Sequence, residues 1–162
     1  MGFLLKPGVI FAMLAWLAGS FYALQPAWSV DPFTQSHLTI HSSDGTFEHQ
    51  FKVEIAKSLE QQALGLMHRA YLPPETGMLF DFGEVRPVSM WMKNTLIALD
   101  MLFIKQDGQI ESIIERAKPL SLTARRSQGP VRAVLELPGG TVQSLGIAAG
   151  DRVVHQIFQG PD

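Results

Sequence analysis

From Leu38 onward, short apolar runs alternate with turn chemistry, and the period of the apolar positions assigns an element to each run. Leu38 to His41 reads as a short strand, and the following Ser42-Ser43-Asp44-Gly45 carries the Asp-Gly signal of a tight hairpin. In the return strand Phe47, Phe51, Val53 and Ile55 share one face, and Glu48, Gln50, Lys52 and Glu54 share the other. A period of two of this kind belongs to a half-buried strand. The period then changes. Ser58-Leu59-Glu60-Gln61 matches a capping box, and Leu59, Ala63, Leu66 and Met67 fall on one helical stripe before Pro73-Pro74, which predicts a helix of two to three turns.

Strand patterning resumes over Gly77 to Phe82 and Val88 to Asn94, with Gly83 and Pro87 between them. Asp100 to Lys105 contains Met101-Leu102-Phe103-Ile104, apolar on both faces as in a strand covered from two sides. Gln106-Asp107-Gly108 turns it into a strand from Gln109 to Arg116, a second Asp-Gly hairpin. Ala117 to Pro130 is a long basic loop. Val131 to Leu137 is a strand with Val131, Ala133, Leu135 and Leu137 on one face, broken by Pro138-Gly139-Gly140. A helical turn from Thr141 to Leu145, a Gly150-Asp151 turn and a last strand from Arg152 to Phe158 complete the chain. Seven or eight short strands with one short helix predict a mostly β (α+β) domain: a small mixed, mainly antiparallel barrel or sandwich.

The N-terminus follows neither period. Lys6 precedes the apolar run Val9 to Ala18, and Ala18-Gly19-Ser20 supplies small residues, the layout of a secretory signal peptide. Extended through Phe21, Tyr22, Ala23 and Leu24, the run becomes long enough to serve as an uncleaved anchor. Residues 1–24 are therefore read as signal peptide or anchor, 25–37 as linker and 38–158 as one domain, expected in the periplasm of a bacterium and possible to tether to the inner membrane. Membrane contact is expected only through residues 1–24, where they are retained.

Composition narrows the function. The formal net charge is -2, and since the first twenty residues hold only Lys6, the remainder carries 12 Lys+Arg against 15 Asp+Glu, or -3. That is no footprint for nucleic acid, which favours a strongly basic face. Cysteine is absent, which removes thiol nucleophiles, thiolate metal sites, disulfides and a lipidated cysteine. No Walker, Gly-x-Gly-x-x-Gly or Gly-x-Ser-x-Gly motif occurs, and no cofactor is implied. His37, His41, His49, His68 and His155 lack metal-ligand spacing. Met67, Met78, Met90, Met92 and Met101 have the thioether chemistry that suits Cu(I), but methionine is mainly a core filler, so no metal is assigned.

Four blocks carry a family resemblance. They are Gln62-Ala63-Leu64-Gly65-Leu66-Met67-His68-Arg69; Gly77-Met78-Leu79-Phe80-Asp81-Phe82; the stretch from Ser89 to Ile104 with Met90-Trp91-Met92-Lys93-Asn94-Thr95 inside it; and Val134-Leu135-Glu136-Leu137-Pro138-Gly139-Gly140, followed by Gly150-Asp151. In this order they resemble the bacterial and archaeal family catalogued as domain of unknown function 192, over about residues 38–158. The resemblance implies a small barrel-like β domain, often behind an export signal, with no agreed activity and so no catalytic residues to carry over. Ala98 stands where that family usually has proline.

Candidate chemistry gathers in the same blocks. On a strand through Val88 to Asn94, Met90 and Met92 face one way and Trp91 and Lys93 the other, so Trp91 and Lys93, with Asn94, are candidates to line a ligand site through an aromatic face and an ammonium. Alternatively Trp91 packs in the core and Lys93 pairs with Asp100. Asp100 opens an apolar strand and needs a partner, for which Lys93 or Asn94 are the candidates. Glu136 is a second carboxylate in an apolar strand, and if the two converge they suit acid/base work. Arg69 either caps the helix before it or faces a site. Arg116, Lys118, Arg125, Arg126 and Arg132 make the long loop basic, either as a solvated edge or as a dock for an anion. Three functions remain open: a noncatalytic small-molecule or glycan binding module of the cell envelope, a hydrolase using Asp100 and Glu136, and a structural accessory protein.

Overall fold

The computed structural model describes residues 30–159. The targeting segment read at residues 1–24 lies outside the described residues. Strand β1 (Thr34–His41) and β2 (Glu48–Ala56) form the first hairpin, which turns through Gly45 at φ 75°, a conformation glycine adopts without strain. Strand β1 starts four residues before the expected Leu38: Thr34 to His37, assigned to the linker, pair with Ile55 to Lys52 of β2. Their polar side chains give no apolar alternation to read.

Helix α1 (Leu59–Leu64) has six residues instead of two to three turns. Its capping box forms as expected, with Gln61 N donating to Ser58 Oγ at 3.2 Å and Ser58 N donating to Gln61 Oε1 at 3.1 Å. The expected apolar stripe does not: Leu59 and Ala63 are exposed and Gln61 is buried. The Gln61 amide donates to the carbonyls of Asp31 and Pro32, at 3.2 and 3.4 Å, tying the entry of the chain to the helix. Gly65 ends the helix at φ 49°, where a Cβ would stand 3.1 Å from the Phe80 ring.

Strands β3 (Thr76–Arg86), β5 (Leu99–Ile104), β6 (Ile110–Ala117), β8 (Val131–Pro138) and β9 (Arg152–Val154) join β1 and β2 in a seven-stranded sheet of order β6-β5-β8-β3-β2-β1-β9. Between them in the chain come β4 (Ser89–Met90) and β7 (Arg125–Arg126), which pair with each other, and α2 (Thr141–Leu145). The fold is mostly β and mixed, as expected, and α2 forms where a helical turn was expected, over Thr141–Leu145. Every strand pair in the sheet is antiparallel except β2 and β3, which run parallel because α1 carries the chain back across. The expected strand from Val88 to Asn94 shortens to β4, and the expected last strand stops at Val154, followed by a single 3₁₀ turn over Gln156–Phe158.

The sheet curls into a half-barrel, and each face has its own core. Inside, residues from all seven strands meet, among them Ile40, Phe51, Val53, Leu79, Leu102, Ile110, Leu135 and Val153, with Val142 of α2 and Ile147 beside them. Outside, Met78, Phe80, Met101, Phe103 and Val134 are covered by Leu66, Leu72, Val88 and Met92. Both β5 and β8 are therefore buried on two faces. The two edges of the sheet meet at one end: Ile110 N donates to Asp151 O, Gly150 N to Ile110 O and Val153 N to Gly108 O, at 2.8, 2.9 and 2.8 Å. Gly108 holds φ 85° there, and a Cβ on it would lie 2.3 Å from Val153 O, so this turn tolerates only glycine.

Candidate functional site

On the outer face of the sheet, α1 and the turn after it stand over β3 and β8 and leave a cavity of about 220 Å3. Leu64, Gly65, Leu66 and Met67 form one wall, Phe80 and Phe82 of β3 another, and Ser89, Met90 and Trp91 a third. Glu136 lies at the bottom. It is buried, and in register it sits between Met78 of β3 and Met101 of β5, both fully buried, so the strand pleat sends all three side chains to the same face.

Glu136 is the unusual group here. Among the described residues no donor is hydrogen-bonded to its carboxyl, and burial alone pushes that carboxyl up to about 8. At neutral pH it is mainly the neutral acid, which can both donate and accept a hydrogen bond. No enclosed side-chain oxygen or nitrogen of the described residues lacks a partner, so the unpaired Glu136 oxygens are not sealed in the core but reach the cavity.

Trp91 lines the mouth, half exposed. The Lys93 ammonium lies 5.3 Å from the centre of the Trp91 ring, a cation-π contact on the solvent side. Thus Trp91 is not core, and Lys93 pairs with the ring instead of with Asp100. Asn94 takes φ 56°; its carbonyl accepts from His68 N at 2.9 Å and its amide donates to Met67 Sδ at 3.7 Å, which ties the Trp91 segment to the turn after α1. Trp91 and Glu136 are thus brought to one cavity, with Lys93 and Asn94 bracing its rim.

Asp100 and Arg69 go elsewhere. Asp100 pairs in register with Leu137 and Met101 with Glu136, so the pleat sends Asp100 to the inner face and Glu136 to the outer one. The two carboxylates do not converge, and the acid/base pair is not made. Nor do Lys93 or Asn94 reach Asp100. Its partners are backbone amides: Arg116 N at 2.7 Å on one oxygen, Gly140 N and Val142 N at 2.9 Å each on the other. Asp100 thereby holds the Pro138-Gly139-Gly140 turn and the start of α2 in place. Arg69 caps no carbonyl; it forms a two-point ion pair with Glu54, at 2.7 and 2.5 Å, with its guanidinium 5.8 Å from the Phe33 ring centre. This pair fastens the chain after α1 to β2 and holds the Glu54 carboxyl below its usual range.

Comparison with known proteins adds the lineage. The family DUF192, described as "Uncharacterized ACR", matches residues 39–155. The chain belongs to this family. Two solved structures are similar across almost their whole length. A protein of Sinorhizobium meliloti 1021, described as a candidate transcription regulator, is 45% identical with a TM-score of 0.75, covering 78% of this chain and 97% of its own. A protein of unknown function from Novosphingobium aromaticivorans DSM 12444 is 36% identical with a TM-score of 0.73, covering 82% and 94%. No curated protein matches.

The DUF192 blocks acquire a spatial meaning. All thirteen residues lining the cavity lie in Gln62 to Arg69, Gly77 to Phe82, Ser89 to Ile104 or Val134 to Gly140, the stretches that carry the family resemblance. Reading the strands singly missed Gln62, Met67, Phe80 and Thr95 as lining residues, although their clustering in these blocks was a signal. It also missed a Ser-His contact. His155 Nε2 lies 2.9 Å from Ser36 Oγ, but Ile157 N donates to His155 Nδ1 at 3.3 Å. Nε2 must then carry the proton of the neutral ring and donate to Ser36, so it has no lone pair with which to activate the hydroxyl. Burial holds this imidazole below its usual range, which favours the neutral form. Among the described residues no three His, Asp or Glu side chains gather as a metal site.

Proposed function

We propose that this DUF192 domain is a noncatalytic binding module that takes a small molecule or glycan into the cavity beside α1. Glu136 is the polar anchor at the bottom, and Trp91 offers a stacking face at the mouth. The observation that carries the reading is the unpaired, buried carboxyl opening into a cavity walled both by apolar Leu66, Phe80 and Met90 and by polar Gln62, Ser89 and Thr95. A ligand that completes its hydrogen bonds offsets a desolvation cost the free protein already bears. A single carboxyl without a second acid, an activated nucleophile or a metal cluster among the described residues supports binding over hydrolysis. The basic n-region, apolar run and small-residue site at residues 6–20 support an envelope location, soluble if cleaved and tethered if retained.

The regulator description of the Sinorhizobium meliloti relative is not carried over. The two described helices, of six and five residues, are shorter than the recognition helix of the common helical DNA readers.

A thermal-shift screen against sugars, amino acids, nucleotides and amines, run at pH 6 and pH 9, tests the reading. A ligand that accepts a hydrogen bond from the neutral acid binds better at pH 6, and a cationic ligand binds better at pH 9, because the carboxyl titrates between them. Either shift should disappear in Glu136→Leu. No shift with any class, or shifts unchanged by that substitution, would overturn the proposal.

A further inference from the structure

A second surface lies on the ribbon that begins with β4 and β7. Beyond that pair, Met92 N donates to Ser121 O at 3.0 Å and Leu120 N donates to Thr95 O at 3.1 Å, so the two segments continue side by side. Val88, Met92 and Thr95 are buried beneath. Trp91, Leu96, Leu120 and Leu122 are instead 52, 49, 59 and 69% exposed, half of the eight large apolar residues exposed among the described ones. An isolated exposed apolar side chain needs no explanation, but four on one ribbon form a patch.

The charge around the patch has one sign. Val85 to Leu99 and Arg116 to Leu135 contain no Asp or Glu, in a chain whose formal net charge is -2. Their cations include Arg86, paired with Glu84, and Arg132, paired with Asp81. Lys93, Arg116, Lys118, Arg125 and Arg126 form no ion pair among the described residues. Besides Glu84 and Asp81, two carboxylates of the described residues touch these stretches through backbone amides at their margins: Asp100 accepts from Arg116 N at 2.7 Å, and Glu111 accepts from Gln128 N at 3.2 Å beyond the end of β7. Exposed leucines and a tryptophan among cations without ion pairs, on segments that carry no Asp or Glu of their own, match the chemistry of an anionic lipid surface, where apolar side chains enter the headgroup region and cations meet phosphates. Duplex nucleic acid would satisfy the cations but leave the leucines in water.

The N-terminal chain enters on the same side. Phe33 packs against the outer core, as do Met90 and Ile97, and the apolar run at residues 9–18 lies fifteen residues before Phe33, so a retained anchor would feed into the face that bears the ribbon. We propose that this ribbon docks on a membrane containing anionic lipid, through Trp91, Leu96, Leu120 and Leu122 with Lys93, Lys118, Arg125 and Arg126 around them.

The solved relatives consist almost wholly of the matched domain, 97% and 94% of those chains, so a piece that begins at residue 30 is expected to fold without what precedes it. Trp16 and Trp28 precede residue 30, which leaves Trp91 as the single tryptophan in that piece and its emission as a direct reporter. Residues 30–162 are mixed with vesicles of phosphatidylglycerol and phosphatidylcholine, or of phosphatidylcholine alone, and followed by flotation and Trp91 fluorescence. The expected result is flotation with a blue shift on the anionic vesicles and binding about tenfold or more weaker on the neutral ones. The double substitution Leu120→Ser and Leu122→Ser should abolish flotation with the thermal midpoint unchanged. Lys118→Glu with Arg126→Glu should remove the preference for anionic lipid. Absence of flotation, equal binding to both vesicles, or flotation by the serine variant as strong as wild type would overturn the proposal. So would a Trp91 response confined to duplex DNA or polyglutamate, or a concentration-dependent dimer that accounts for the shift. None of these substitutions touches the cavity, so a negative result here leaves the ligand-binding proposal to its own test.

Discussion

Asp100 and Glu136 stand one residue out of register on neighbouring strands, and the pleat separates their fates. Asp100 collects three backbone amides, so Asp100→Ala leaves buried donors without an acceptor and should cost about 3 kcal/mol or more by urea unfolding. Glu136 collects none. Its folded-state pKa of about 8 lies above the ordinary 4.5, so between those values the native protein holds a proton that the unfolded chain has released. Stability from this group is therefore greatest below about pH 4.5 and declines as pH rises toward 8, by roughly 1.4 kcal/mol for each pH unit in that window. Glu136→Gln should flatten this decline, with a midpoint above wild type at pH 8 and close to it near pH 4.5. The sequence showed both carboxylates as oddities in apolar strands, and Trp91 with Lys93 on one strand face, open to a ligand-site or a core reading. It could not show that the strand register places Asp100 and Glu136 on opposite faces, because register across β5 and β8 is a property of the pairing and not of either strand.

Among the elements, α1 was legible at its start and illegible at its end. The Ser58 capping box acts through local hydrogen bonds, which a short motif encodes. The end depends on Gly65 closing against Phe80, a contact between distant segments. Gln61 looked like a cap residue alone, yet its amide also holds the chain entry at Asp31 and Pro32. Gln61→Leu should lower stability by about 2 kcal/mol and speed hydrogen exchange in α1, the wall of the cavity. The hairpin turns were readable because Asp-Gly chemistry is local. The tight contact at Gly108 was not. Gly108→Ala drives a Cβ toward Val153 O and should open the seam where the sheet edges meet, read as faster exchange at the Ile110 and Val153 amides. Faster exchange spread evenly over the whole sheet would instead indicate global destabilisation.

At the scale of the molecule, a mostly β, mixed sheet follows from the count of short strands, but its closure does not. The parallel β2-β3 pair and the seam between β9 and the start of β6 are long-range contacts, and alternation along one strand is silent about which strand it pairs with. The same holds for the cavity, whose walls come from four separate stretches that only the fold assembles. The whole protein should also show opposed pH trends. The Arg69 pair lowers the Glu54 carboxyl, so its contribution is present above the ordinary carboxylate range and fades as the pH falls, while the Glu136 contribution fades as the pH rises. The central claim is that Glu136 is an unpaired acid at the bottom of a cavity that binds ligand. Its most direct measurement is an NMR titration of the Glu136 side-chain carboxyl carbon, alone and with a compound that raises the thermal midpoint. The expected result is a midpoint near 8 in the free protein and a clear displacement of it by the compound. A free-protein midpoint near 4.5, or a titration indifferent to every such compound, would contradict it.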